Sequence, residues 1–371
     1  MKKVDIVLGA GFGDEGKGNI TNALTTKKSL IVRFNGGHQA AHNVEYNNIQ
    51  HVFSSIGSGT LKGAATYISK FCTIDPISFM NEYSKLLAEG IVPIIYLDPE
   101  VMLTTLYDIA SNKYNVSGHG TVGVGFGKTI ERNENNYSLT VMNALFRKVF
   151  DIKYSKVKDY YYDILGELFT HDKLDEALWY KSLTQMLNVC KIPNSIKDLD
   201  FNHYVFEGAQ GLLLDKNIGF FPNVTRSNTS SLNAFEIIDQ LDVDYVKTHY
   251  VIRAYQTRHG NGPMIESKIN YSKEFNEYLQ NHIEKTNPDT SIQGSFRTDF
   301  LDVRALEYAI ACDKRINKSN DYELIVTCMD QITDGKLMVI LDDELTSFDM
   351  SVLSIGLDMI VLPCNTPSFK Y

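Results

Sequence analysis

Five glycines fall within the ten residues Gly9 to Gly18 (GAGFGDEGKG), directly behind the β-branched run Val4–Leu8 and directly before NITNALTTKK, which reads as a helix. Strand, glycine loop and helix in that order open an α/β fold, because the loop turns the chain and sets a helix N-terminus at the end of the strand. Such a loop offers backbone N–H groups and the positive end of a helix dipole to phosphate, with Lys17 as countercharge. Gly11 to Lys17 satisfies GxxxxGK, yet Gly18 stands where that motif places its Mg²⁺-binding Ser or Thr. Asp14 is the hard-oxygen ligand left to hold Mg²⁺, and a carboxylate there can also act as a base. The bland alternative is a tight turn whose charges face water.

Further apolar runs at Leu30–Phe34, Ile94–Leu97, Tyr204–Glu207, Val246–Ala254, Leu324–Met329 and Leu337–Leu341 are separated by helical stretches. This spacing predicts an α/β chain with a central, mostly parallel sheet flanked by helices and a P-loop-like phosphate loop. With 371 residues, 43% of them hydrophobic, the length suits one large domain or two ordinary ones. We read residues 1–371 as a single α/β domain with a helical insertion at about 133–203, where Tyr, Lys, Asp and Leu dominate. Aromatic residues at helical spacing there are expected to pack rather than to stack on bases.

A net charge of −9, from 36 basic and 45 acidic residues, argues against a broad phosphate-neutralising surface, so no nucleic-acid partner is expected; small phosphorylated ligands remain allowed. The five cysteines are far apart and form no CxxC pair, which fits a reducing cytoplasm. Asp5 interrupts the apolar stretch behind the N-terminal lysines, and runs such as Ile91–Leu97 are far shorter than the ~20 residues of a membrane span. A soluble, cytoplasmic protein with no membrane partner is the expectation.

The second apolar run leads into RFNGGHQAAHNV, Arg33 to Val44, where His38 and His42 stand four residues apart. No third ligand accompanies them, so zinc is disfavoured. A proton donor or transition-state stabiliser beside a nucleotide is the better use of one histidine.

These segments resemble the adenylosuccinate synthetases, which open with a strand, a GDEGKG loop and a GGHNAGHT-like segment. Gly13–Gly18 repeats the first motif, and GGHQAAHN (Gly36–Asn43) is similar to the second. FEGAQGLLLD (Phe206–Asp215), FPNVTRSNTS (Phe221–Ser230) and RAYQTRHGNGP (Arg253–Pro263) resemble three further family segments in the same order. The resemblance implies a Mg²⁺-dependent carbon–nitrogen ligase. A 6-oxopurine nucleotide loses its N1 proton, its 6-oxygen takes the γ-phosphoryl group of a nucleoside triphosphate, and the amine of L-aspartate displaces phosphate. It implies Asp14 as base and metal ligand, Lys17 as the cation on the transferring phosphoryl group, His42 as hydrogen-bond donor to the 6-oxygen, Gln210 as a further catalytic contact, and the carbonyl of Ala41 as a second metal ligand. Triphosphate contacts carry over to Gly13, Glu15, Gly16, Lys17, Gly18, Asn19, His42, Asp330 and Asn365. Purine monophosphate contacts carry over to Asp14, Gln39, Ala40, Thr121, Arg132, Gln210 and Thr225, with Arg132 the arginine that reaches across a homodimer interface.

Three departures bear on the substrates. The arginine-rich aspartate loop is here SIQGSFRTDFLD (Ser291–Asp302), leaving Arg297 to pair the aspartate carboxylates with Ser295 and Thr298 beside it. The GGHNAG-like wall carries Gln39 and Ala41, and the guanine-reading TKLD-like and STGP-like segments become TCMD (Thr327–Asp330) and PCNTP (Pro363–Pro367). Together with the short chain these resemble the phage branch of the family, which joins dGMP to aspartate using ATP; IMP with GTP is the alternative. Retained Asp14 departs from the many phage members that carry serine there. A P-loop kinase or GTPase, or an inactive nucleotide-binding homologue, are the less favoured readings.

Overall fold

Val4, Ile6, Val7 and Leu8 are all fully buried, so the strand Lys3–Gly9 is covered on both faces. Apolar side chains at consecutive rather than alternate positions belong in the middle of a parallel sheet clad by helices. The computed structural model describes residues 1–114, 123–166, 174–260, 262–264, 269–279, 295–348 and 361–363, and in it this strand is central. The sheet has eight strands, in the order Val361–Pro363, Asp321–Thr327, Tyr245–Arg253, Lys3–Gly9, His203–Gly211, Ser29–Arg33, Ala65–Ile68 and Ile95–Leu97. Every pairing in it is parallel. Val4 lies between Val246 on one side and Tyr204 on the other.

The α/β fold class therefore holds. Two details differ from the expectation. Ala65–Ile68 and Val361–Pro363 are strands the apolar pattern did not single out, being only four and three residues long. Leu337–Leu341 lies outside the main sheet, parallel to Leu301–Asp302 and antiparallel to Glu344–Phe348. Asp5, the charge inside the first strand, is tolerated because its carboxylate takes His203 Nε2 at 2.7 Å, His249 Nε2 at 2.9 Å and Lys3 Nζ at 3.0 Å.

The stretch between about 126 and 190 is mainly helical, with helices at Phe126–Glu134, Arg147–Leu165 and Glu176–Val189. Its aromatic residues pack: Trp179, Tyr161, Phe150 and Tyr154 are buried, with Tyr154 and Trp179 ring centroids 5.3 Å apart. Arg147–Leu165 and Glu176–Val189 share a second apolar cluster with Pro76–Ala88, a helix started by Asp75, whose carboxylate accepts from Ser78 N at 2.9 Å, and by Pro76 at its first position. Among the described residues no helix is long and apolar enough to cross a membrane.

In an open parallel sheet, ligands bind beyond the carboxyl ends of the strands, where the strand order reverses. The glycine loop follows Gly9, the GGHQ segment follows Arg33, Gln210 ends the strand at Gly211, Arg253 ends its strand and Thr327 ends another. Five of the segments that carry the family resemblance or its departures thus leave the sheet at one edge.

Candidate active site

The glycine loop turns because Gly13, Asp14 and Gly16 all have positive φ, at 99°, 63° and 86°. For Asp14, the one with a side chain, this is a strained backbone held by its surroundings. Arg253 Nε donates to the Asp14 carbonyl, Thr257 Oγ1 donates to the Gly13 carbonyl at 3.0 Å, and Thr327 Oγ1 donates to the Glu15 carbonyl at 2.8 Å. Gly16 caps the helix Lys17–Leu24, with Asn19 N donating back to the Gly16 carbonyl at 3.1 Å. Gly18 must be glycine, since a Cβ there would stand 2.7 Å from His42 Cβ.

Glu15 does something its place in the motif does not announce. Its carboxylate turns into the loop, accepts from Gly13 N at 2.7 Å and Gly11 N at 3.1 Å, and pairs with Lys17 Nζ at 2.6 Å. An internal carboxylate thus holds the donors that a phosphate would use. Direct contact between the Glu15 side chain and a triphosphate is disfavoured by charge; what Glu15 can offer is its main chain.

The Asp14 carboxylate is partly exposed, with His259 Nε2 3.2 Å from Oδ2. Burial alone would raise its pKa, but the His259 hydrogen bond and the charges of Arg253, His259 and Lys17 outweigh burial and hold it below the ordinary carboxylate value. Asp14 is therefore ionised and available to a cation or a proton.

His42 begins a hairpin, His42–Tyr46 with Ile49–Phe53, whose two-residue turn, Asn47 and Asn48, has φ of 51° and 63°, the geometry that matches strand twist. His42 Nδ1 lies 2.6 Å from Glu207 Oε1. Glu207 is fully buried and also accepts from Ser58 Oγ and, at 3.0 Å, from Ser58 N. Burial opposes its charge, yet Arg33 and His42 bring its pKa down to about 2. For His42, burial lowers the pKa against the pull of Glu207. The ring is thus oriented from Nδ1, and Nε2 is the nitrogen turned away from Glu207.

Gln210 has φ of 64°, and among the described residues its buried Oε1 has no hydrogen-bond partner. The preceding Ala209 exchanges two hydrogen bonds with the Asn35 side chain, at 2.8 and 2.9 Å, which staples the Gln210 turn to the GGHQ segment. There both amide atoms of Gln39 and the hydroxyl of Thr73 are likewise buried without partners among the described residues. Ala40 N closes the turn onto the Gly37 carbonyl at 3.1 Å. His38, the other histidine of the pair, points away to the Val124 carbonyl at 2.7 Å. Orphaned polar atoms in a native fold mark places where a ligand or ordered water completes the bonding.

On the aspartate side, Phe296–Asp299 pairs antiparallel with Gln256–His259, setting Arg297 opposite Arg258 and Thr298 opposite Thr257. Arg297 Nη2 donates to the carbonyls of Gly260, at 2.6 Å, and Gly262. Arg258, buried over the Phe12 ring at 4.2 Å, donates to the Pro263 and Asn223 carbonyls. Burial and the neighbouring Arg297 push its pKa down to about 10. Among the described residues no carboxylate pairs with either arginine. Ser295 is exposed, and its carbonyl accepts from Gly260 N at 3.0 Å.

Several placements differ from expectation. Arg132 is fully buried: Nε meets Asp108 Oδ1 at 2.9 Å and Nη2 meets the Leu103 carbonyl at 2.8 Å and Asp108 Oδ2 at 3.2 Å. Locked inside its own subunit, it is not an arginine that reaches across an interface. Thr225 is half-buried and its N donates to the Leu214 carbonyl at 2.8 Å. Asp330 is exposed just beyond the strand that ends at Thr327. Thr121 and Asn365 lie outside the described residues. The sequence reading missed Glu207, although a charge inside the buried run Tyr204–Glu207 was a legible signal. It also missed His259 and Arg258, which only the strand pairing brings to the site.

Mg²⁺ suits the donors present. Among the described residues no group of three His, Cys, Asp or Glu side chains forms a metal cage; Asp14 would supply a hard carboxylate and Ala41, exposed in the loop before His42, a carbonyl. Mg²⁺ bound by one or two protein oxygens and completed by substrate phosphates and water matches that set.

The adenylosuccinate synthetase family model matches residues 6–339. Adenylosuccinate synthetase of Thioalkalivibrio sulfidiphilus is 33% identical over 282 residues, 71% of this chain and 65% of that protein. The Legionella pneumophila (strain Lens) enzyme is 32% identical over 283 residues, 71% of this chain and 64% of its own length. The chain thus matches somewhat less than two thirds of these relatives. Fully ligated adenylosuccinate synthetase from Plasmodium falciparum has the same fold, with a TM-score of 0.70 at 21% identity, covering 96% of this chain and 84% of the other. Cyanophage S-2L succinoaminodeoxyadenylate synthetase, bound to dGMP and dATP, gives 0.62 at 14% identity, covering 89% and 86%. With 334 of its positions inside the family model, from residue 6 to 339, this chain belongs to the adenylosuccinate synthetase family.

Proposed function

We propose that this chain is a carbon–nitrogen ligase that condenses L-aspartate with C6 of a 6-oxopurine nucleoside 5′-monophosphate through a 6-phosphoryl intermediate. The observation that carries this reading is the convergence at one sheet edge of Asp14, Lys17, the Glu207-oriented His42 and the unpartnered amide oxygen of Gln210, in a chain of this family. Asp14 accepts the N1 proton. The 6-oxygen, held by His42 and Gln210, forms a bond to the γ-phosphorus as the bond to the β-phosphate oxygen breaks, with Lys17 on the transferring group. The amine of L-aspartate then forms the C6–N bond, the C6–O bond breaks, and phosphate leaves with that bond's electron pair and takes the proton the amine gives up. Bound Mg²⁺ supplies charge neutralisation on the phosphates. Lys17 must exchange Glu15 for phosphate to do this, so the glycine loop rearranges when the triphosphate binds.

Gln39, Ala40 and Thr225 face the purine monophosphate, and Arg297 with Ser295 and Thr298 the aspartate. Asp330 faces the triphosphate base. We favour dGMP with ATP, because the two guanine-reading segments and the arginine loop are altered; IMP with GTP is the second reading, favoured by the names of the curated relatives. A cytoplasmic homodimer is part of the proposal, and the exposed apolar residues Phe146, Val149 and Ile152 at helical spacing support a second copy packing there. The test is phosphate release with dGMP, GMP, IMP and dIMP crossed with ATP and GTP, each with and without L-aspartate. Aspartate-dependent release with dGMP and ATP supports the favoured reading. Turnover of IMP with GTP alone overturns it, and aspartate-independent release overturns the ligase reading.

A further inference from the structure

The strand Gln256–His259 touches the glycine loop with one set of side chains and the aspartate-side strand with its edge. Alternate residues of a strand point the same way. Thr257 Oγ1 holds the Gly13 carbonyl at 3.0 Å and His259 Nε2 lies 3.2 Å from Asp14 Oδ2, while Arg258 between them turns to Phe12 and the Pro263 and Asn223 carbonyls. Along its edge the strand pairs with Phe296–Asp299, His259 opposite Phe296. The His259 ring is further fixed by the Phe296 ring, 4.8 Å away between centroids. One short element therefore joins the residue read as the base to the residues read as the aspartate site.

Asp14 needs such a partner. Its backbone is strained, with φ of 63°, and Lys17, the nearest loop cation in sequence, is committed to Glu15 at 2.6 Å. Arg253 holds Asp14 by its carbonyl rather than by its carboxylate. His259 supplies the contact to the carboxylate itself.

Resting on the ligase reading above, we propose that His259 is a positioning residue: it aims the Asp14 carboxylate and ties that aim to the strand that carries Arg297. A carboxylate free to rotate about its χ angles would spend most of its time away from the N1 proton, which costs rate rather than substrate affinity.

The experiment compares wild-type protein with His259→Val and His259→Gln. Glutamine places an amide nitrogen at about the reach of imidazole Nε2; valine removes the contact. We expect His259→Val to lower kcat about tenfold or more while calorimetric Kd values for the purine monophosphate and the triphosphate stay within about twofold, and His259→Gln to recover most of the rate. Circular dichroism and thermal melting confirm that both variants fold; if valine does not, the glutamine variant is read against His259→Asn, whose amide is too short to reach Asp14 and should behave as valine does. A kcat within twofold of wild type for the variant lacking the contact, no recovery by glutamine, or Kd values weakened in step with kcat would each overturn the assignment. If the wild-type chain shows no aspartate-dependent phosphate release, the ligase reading falls and the inference with it; if it does and the variants match it, the inference alone falls.

Discussion

Glu207 Oε1 lies 2.6 Å from His42 Nδ1, and the same carboxylate takes both the amide and the hydroxyl of Ser58. Because Glu207 is wholly buried, its hydrogen bond fixes the ring plane of His42. Glu207→Gln keeps the shape and removes the charge. We expect kcat to fall by about 10²-fold, the smaller end of a general acid–base contribution, with little change in nucleotide KM. Steady-state phosphate release on a variant with unchanged circular dichroism checks this, and a rate near wild type would separate Glu207 from the chemistry.

Asp14→Ala and His42→Ala should each abolish detectable turnover with the fold intact. Asp14 is partly exposed, His42 is mostly buried, and neither belongs to the apolar core, so their loss should leave the melting temperature within a few degrees. Single-turnover measurements with all substrates present provide the check; residual turnover near wild type in either variant would remove that residue from its role.

What the sequence made legible follows from where the information is local. The glycine loop, Lys17 and the first strand are contiguous, and glycine there permits the positive φ that Gly13 and Gly16 adopt. Asp14–His259 and Arg258–Arg297 join residues far apart in the chain, and strand pairing between Gln256–His259 and Phe296–Asp299 creates them. Arg132 misled for a related reason. The resemblance assigned it a ligand role by motif position alone, and only the fold shows Asp108 and two carbonyls waiting for it inside. Glu15 looked like one more charge in a phosphate motif, and its inward turn depends on the empty space that Gly9 and Gly211 leave around its carboxylate.

Arg297→Leu should raise the KM for L-aspartate about 10- to 100-fold, the equivalent of one charge-assisted hydrogen-bonding group at about 1.5–3 kcal/mol. The KM for the purine monophosphate should move far less. Arg258 sits deeper and spends its donors on the Pro263 and Asn223 carbonyls, so Arg258→Leu should lower stability as well as aspartate affinity. Equal effects of Arg297→Leu on both substrates would count against placing aspartate there.

Arg132→Leu should destabilise the protein by about 3–5 kcal/mol, because it strands the buried Asp108 carboxylate without its cation. The folded fraction should retain its turnover rate per active site. Urea unfolding gives the first quantity and active-site titration the second. A variant with wild-type stability and a weakened Kd for the purine monophosphate would restore Arg132 as a ligand contact.

Glu82 makes stability depend on pH between the acid and neutral ranges. It is buried and accepts from the amides of Ser54, Ser55 and Ile56 at 3.0, 2.9 and 3.1 Å. Burial nonetheless pushes it up to about 7, with those amides and the Arg33 charge opposing the rise. A carboxyl whose folded pKa lies above its unfolded value of 4.5 binds its proton more tightly in the folded state. Its contribution is therefore whole below about pH 4.5 and is lost as pH rises through 7, a change of up to about 3 kcal/mol for a shift of this size. Glu207 has the opposite sign: its pKa, lowered to about 2, gives stability that is present above its unfolded value and lost as the solution is acidified. Comparing wild type with Glu82→Gln isolates the first effect, since the amide does not titrate and the other groups are common to both. Chemical denaturation at pH 5 and pH 8 should show wild type losing stability relative to the variant as pH rises. A difference independent of pH would mean that the three amides keep Glu82 ionised throughout.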